Sequence, residues 1–180
     1  LGVIQELDED SRAYKMARMT IDRMTRDLSS LQPFGDSFVL QSQKNSIGSR
    51  AFGSITFWSA SHLAFDEGDV SGSPAMIVYF VKEQKNGGFS LWRSDVAQAK
   101  PSTGRKTDSG VIICENLQSL NFQFYDENDK PYASWDTTSS ASPQKGKPPV
   151  LVKIELILAK ARDAEKPYKF ITSVFMSVRK

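Results

Sequence analysis

Seven apolar residues, Leu7, Tyr14, Ala17, Ile21, Met24, Leu28 and Leu31, recur at the three-and-four spacing of one helical face. No other pattern in the chain constrains its folding as strongly, because everything after this stretch is made of short strand signals. The spacing predicts a helix over residues 3–31, roughly 40 Å long at 1.5 Å per residue. It should stop at Gln32-Pro33-Phe34-Gly35, since the residue before a proline is pushed out of the helical region and glycine accepts the turn. Asp10 interrupts the stripe between Leu7 and Tyr14. Packing on a head is therefore expected only over residues 14–31, with the turns before Tyr14 protruding. Met16 and Met19 fall on the opposite side, beside Arg12 and Arg23. Ile4, Leu7, Ser11, Met16 and Met19 are the candidate contacts for a partner. Such a helix, opening at Leu1 with neither Met nor cap, is expected to be the lower part of a longer stalk.

A chain of 180 residues, 39% hydrophobic and 24% charged, builds one β-rich head with a real core. The expected division is the helix at 1–32 and the head at 33–180, within one domain. The net charge of +2 comes from basic residues interleaved with acids, not gathered into a stripe, which argues against nucleic acid as a partner. Cys114 is the only cysteine, so neither an internal disulfide nor a thiolate zinc site can form. Its neighbours Val111, Ile112 and Ile113 mark it as a small buried hydrophobe. His62 is the only histidine, and its segment 61–65 has a strand pattern with no nucleophile elbow or metal spacing. No catalytic residue, metal or cofactor is expected.

Further strands are expected at 38–40, 52–58, 75–82, 89–94, 110–114, 120–126, 150–158 and 170–178. The run Met76-Ile77-Val78-Tyr79-Phe80-Val81 is apolar on both faces, as a central covered strand should be. Asn86-Gly87 supplies positive φ for a hairpin back into 89–94. Leu120, Phe122 and Phe124 share one face, and Val150, Val152, Ile154, Leu156 and Leu158 alternate ahead of a returning last strand. The Pro-, Ser- and Gly-rich stretches 99–109 and 137–149 should be exposed and mobile loops.

Two acidic turns, Asp66-Glu67-Gly68-Asp69 and Asp126-Glu127-Asn128-Asp129, gather the oxygens calcium requires, yet neither has EF-hand spacing and both have ordinary turn composition. Gly104-Arg105-Lys106-Thr107 lacks the glycine before the lysine that a phosphate loop needs. Asp126 with Glu155 is the acid pair one would nominate for glycoside hydrolysis. Trp135 is either a rim of the core or, with Tyr132, an aromatic contact for a ligand.

Leu91-Trp92-Arg93, then the run Glu115-Asn116-Leu117-Gln118-Ser119-Leu120-Asn121-Phe122-Gln123-Phe124-Tyr125-Asp126, then Trp135, Pro149 before a strand and a closing strand at Phe170 follow the helix in a distinctive order. With the helical run from Met19 through Leu28, this resembles the J-class minor pseudopilins of type II secretion. The resemblance implies an α+β, pilin-like fold, with a long N-terminal helix packed on antiparallel sheets. It further implies a non-enzymatic subunit of the pseudopilus tip that aids pseudopilus initiation and exoprotein secretion. Its partners would be the I- and K-class minor pseudopilins. It would be anchored in the bacterial inner membrane by an N-terminal apolar helix absent from this sequence, with the head in the periplasm. The alternatives are a minor pilin of a type IV pilus and a periplasmic module that binds an exoprotein or a sugar.

Overall fold

The computed structural model describes residues 2–64, 67–68, 70–97, 109–163 and 165–177. Helix α1 (Gly2–Ser29) is about 42 Å long and ends where the sequence sets its stop. Leu31 N–H turns back to Leu28 O (3.1 Å), Leu31 bridges to Ser59, and Gly35 takes φ 63° in the turn beyond.

Nine strands follow. β1 (Leu40–Ile47), β2 (Arg50–Ser59), β3 (Ala75–Glu83), β4 (Phe89–Ala97) and β5 (Val111–Cys114) form an antiparallel meander in sequence order. β6 (Leu117–Tyr125), β7 (Pro131–Tyr132), β8 (Leu151–Leu158) and β9 (Tyr168–Phe175) form a second antiparallel sheet in the order β7-β6-β8-β9. The architecture is thus α+β, one long helix packed on two antiparallel sheets.

The strand periodicities translate directly into burial. β3 is covered on both faces from Ala75 to Val81, as its unbroken apolar run requires. Leu120, Phe122 and Phe124 of β6 lie beside Val152, Ile154, Leu156 and Leu158 of β8 on one face of their sheet, in one core. The sheets pack tightly at Gly53 of β2, where an added Cβ would lie 2.8 Å from the Phe122 ring and 3.1 Å from Leu120 O. Only glycine leaves room there. In the β3–β4 hairpin, Gly87 alone takes positive φ (81°), while the Asn86 side chain accepts Gly88 N–H (2.9 Å).

Several expectations need correction. Residues 61–64 are not a strand: Leu63 N–H donates to Asp95 Oδ2 (2.8 Å) and His62 exchanges backbone bonds with Gly72 and Ser73, so a side chain and a loop take the place of a ladder. Residue 65 and the stretch 99–108 lie outside the described residues, as do Asp66, Asp69 and the whole Gly104-Arg105-Lys106-Thr107 motif. The edge strand β1 is mostly polar, so its hydrophobic pattern betrayed only Leu40. The 137–149 loop is not simply exposed. Thr137 is buried and caps Leu40 N–H (2.8 Å), Gly146 O accepts Phe38 N–H (3.1 Å), and Lys147 O accepts Trp135 Nε1–H (2.9 Å).

Candidate functional site

Helix α1 changes its orientation to the head along its length. From Ala13 onward the side toward the sheets is formed by Ala13, Ala17, Thr20, Met24, Asp27 and Leu28, all buried. Thr20 Oγ1 lies 2.8 Å from Met16 O and 3.1 Å from Ile113 O, tying the helix to β5. Tyr14 was expected among the packed residues but is 57% exposed, resting edge-on against the rings of Tyr168 and Phe170.

Over the first turns the usual polarity is reversed. The β8–β9 connection reaches up and holds the polar side of the helix. Arg162 Nη2 donates to Gln5 Oε1 (2.6 Å), Lys160 Nζ to Glu6 Oε1 (3.2 Å) and Ala161 N–H to Glu9 Oε1 (2.9 Å), while Tyr168 donates its hydroxyl to Asp10. These turns therefore do not protrude free of the head. Asp10, which breaks the apolar stripe in the sequence, is a docking residue. Burial, and then its bond to Asp10, push the Tyr168 hydroxyl up to about 12.

Solvent meets the apolar side instead. Val3, Ile4, Leu7, Tyr14 and Met19 are 71%, 72%, 63%, 57% and 63% exposed. Ile4, Leu7, Ser11 and Tyr14 follow each other at steps of three, four and three, the spacing of a helix–helix seam. At 100° per residue, Ile4, Leu7 and Ser11 fall within about 60° of one another, with Met19 about 80° beyond Ser11. The structure thus brings Ile4, Leu7 and Ser11 together and leaves Met19 on an adjoining side. Met16 is separated from them. It is half-buried against the core, its Sδ 3.3 Å from Glu115 N, so this methionine has a neighbour within its own head.

A second constellation escaped sequence reasoning. Asp27 of α1 is fully buried and accepts from Arg93 Nε (2.7 Å) and Nη2 (3.1 Å), from Arg23 Nε (3.0 Å) and from the Tyr79 hydroxyl. Arg93 Nη1 continues to Asp95 Oδ2 (2.8 Å), and Asp95 Oδ1 lies 2.6 Å from His62 Nδ1. A carboxylate only accepts, so the imidazole donates here from Nδ1. Burial alone would weaken Arg93's hold on its proton, but its bonds to Asp27 and the field of that carboxylate outweigh burial and raise its pKa. Burial, then Asp27's charge, push the Tyr79 hydroxyl well above its ordinary value. Every oxygen of both carboxylates is engaged and the Asp27, Arg93 and Asp95 side chains are buried, so the chemistry of the group is that of a clasp between α1 and the centre of the first sheet. The signal in the sequence was a charged residue between Met24 and Leu28 on the apolar side of the helix, matched by Arg93 and Asp95 on the inward parity of Leu91.

The remaining candidates resolve as structure. Trp135 is 3% exposed, so no open aromatic platform forms with Tyr132. Cys114 is buried, and burial raises its thiol to about 11. Asp126 accepts Asn128 N–H (2.9 Å) and Lys130 N–H (3.0 Å) with one oxygen and the Tyr132 hydroxyl (3.0 Å) with the other, and these bonds lower its pKa. Glu155 pairs with Asn121 across the ladder, which puts it about 17 Å along the sheet from Asp126 at 3.4 Å per residue. Paired-acid hydrolysis needs separations of about 5–9.5 Å. Among the described residues no group of three or more His, Cys, Asp or Glu could hold a metal, and no helix is long and apolar enough to cross a membrane.

This arrangement of one long helix and two antiparallel sheets is a pilin-like fold. A chain in the crystal structure of the GspK–GspI–GspJ complex from the type 2 secretion system of enterotoxigenic Escherichia coli shares it, with a TM-score of 0.55 and 16% sequence identity over 93% of this chain and 99% of that one. No family model matches the chain, and no curated protein does.

Proposed function

We propose that the protein is a minor pseudopilin of type II secretion, a non-enzymatic subunit of the pseudopilus tip. The reversed polarity of the first turns of α1 carries this reading: polar contacts hold the helix to its own head, while Val3, Ile4, Leu7 and Tyr14 face outward. Burying that seam against neighbouring helices would gain what its own head leaves unused, at about 25 cal/mol per Å² of apolar surface. The likeness to a chain of a pseudopilin complex supports the assembly role, and the order of strand residues supports the J class. Its partners in this reading are the I- and K-class minor pseudopilins, met through Ile4, Leu7, Ser11 and Met19, with Met16 at the margin. The head stands in the periplasm, tethered to the inner membrane by an apolar N-terminal extension of the same helix.

Sedimentation of the protein mixed with the I- and K-class heads tests the proposal. Specific contact worth about 7 kcal/mol gives association at tens of micromolar. Ile4→Asp with Leu7→Asp should abolish it while the melting temperature stays constant, since both side chains are already in water. No association in this range, or association indifferent to both substitutions, overturns the reading.

A further inference from the structure

Sheet edges are hazards, because a row of unpaired N–H and C=O groups templates another strand, and folded proteins blunt them. Three of the four edges here are blunted. β1 is overlain at its start by residues 135–137, with Ser42 N–H donating to Trp135 O (2.9 Å) and Thr137 N–H to Leu40 O (3.0 Å), and its remainder is polar. β5 is four residues long, its register with β4 shifts, and Ile113 O is taken by Thr20. β7 has two residues and pairs with β6 only at Phe124 and Tyr125, and beyond them Gly53 of β2 packs closely on Leu120 O and the Phe122 ring.

Beyond Lys169, β9 carries no such device. It runs eight residues in unbroken register with β8, contains neither Pro nor Gly, and bears one charge, Lys169. Met176 N–H donates to Val150 O (2.9 Å), while on the far side of β8 Ala159 N–H donates to Asn116 O (2.7 Å). By strand alternation the backbone groups of Lys169, Ile171, Ser173 and Phe175 point away from β8. Among the described residues none bonds to them. Ile171 is 52% exposed and Phe175 70% exposed. Tyr14 rests near Tyr168 and Phe170, leaving the stretch from Ile171 onward open.

We propose that this edge pairs with β9 of a second copy, antiparallel about a twofold axis at Ser173. A row of free amides and carbonyls is complementary to another extended backbone, and β9 is complementary to itself in this register. Ile171 falls opposite Phe175 of the copy on the outer face, and Phe170 opposite Met176 on the inner face. Centring one residue earlier would set Lys169 against Phe175. The stretch from Ile171 onward lies beyond Tyr14 of the helix seam, whose ring rests on Tyr168 and Phe170.

Sedimentation equilibrium from 5 to 500 µM should show a reversible dimer. Ile171→Lys with Phe175→Lys sets like charges opposite each other and should weaken dimerisation at least tenfold. Ile171→Lys with Phe175→Glu sets opposite charges across the axis and should restore it, an outcome that only this register gives. In the unmodified protein, amide protection at Ile171, Ser173 and Phe175 should rise with concentration. A monomer throughout, a dimer untouched by the paired lysines, failure of the lysine–glutamate pair to recover it, or loss of contact with the I- and K-class heads in place of self-pairing each overturns the proposal.

Discussion

Removing the carboxylate of Asp27 should cost far more than its single position suggests. Arg93, 2% exposed, would lose two of its hydrogen bonds at once, keeping only Asp95 and a 3.3 Å contact to Ser61 O, while the buried Tyr79 hydroxyl and Arg23 lose their acceptor. Breaking a buried ion pair by removing one partner costs about 3–5 kcal/mol, because the other charge stays buried. For Asp27→Ala we expect about 4 kcal/mol, a drop in melting temperature of roughly 8–16 °C for a domain of this size. Asp27→Asn keeps one carbonyl acceptor without the charge and should lose about 2 kcal/mol, the worth of a hydrogen bond to a charged group. Urea unfolding at pH 7, with the midpoint falling at constant slope, measures both. A loss below about 1 kcal/mol for Asp27→Ala, the range of surface substitutions, would refute the view that this clasp fastens the helix.

Gly53→Ala should destabilise by about 1–3 kcal/mol through overpacking, because its new Cβ meets the Phe122 ring at 2.8 Å and Leu120 O at 3.1 Å; urea unfolding reads this directly. Cys114, buried with its thiol at about 11, should resist a disulfide reagent at pH 8 in the native protein and react fully in 6 M guanidinium. Tyr168 ionises near 12 in the folded protein against an ordinary 10, so the stability it adds is complete below pH 10 and is lost as the pH climbs from 10 to 12. The melting-temperature difference between the unmodified protein and Tyr168→Phe should shrink across that window; a constant difference would break the link to Asp10.

Elements whose apolar pattern follows their own period were legible from the residues alone. β3, covered on both faces, and the β6 and β8 alternations are instances, as is the helix stop before Pro33. What failed was decided by partners far away in the chain. β1 is a strand because the rest of its sheet and residues 135–137 pair with it, not because its polar residues favour extension. Residues 61–64 look like a strand, but Asp95 claims Leu63 N–H. Asp10 looked like a flaw in an amphipathic stripe and Asp27 drew no reading, yet each proved to be an anchor whose partner, Tyr168 or Arg93, lies 66 residues or more away. Of the residues expected to meet a partner, Ile4, Leu7 and Ser11 lie together on an exposed side of the helix, whereas Met16 does not join them, since its Sδ lies against Glu115 N.

The unequal fastening of α1 has a mechanical consequence. Its upper turns are held by surface ion pairs that salt can screen, its lower end by a desolvated one that salt cannot reach. Tension applied along the rod would peel the upper turns first and then bear on Asp27, which hands the load through Tyr79 and Arg93 to β3, the middle strand of the five-stranded sheet, and its neighbour β4. A head gripped in this way should travel with its rod as one body when the rod is pushed or drawn.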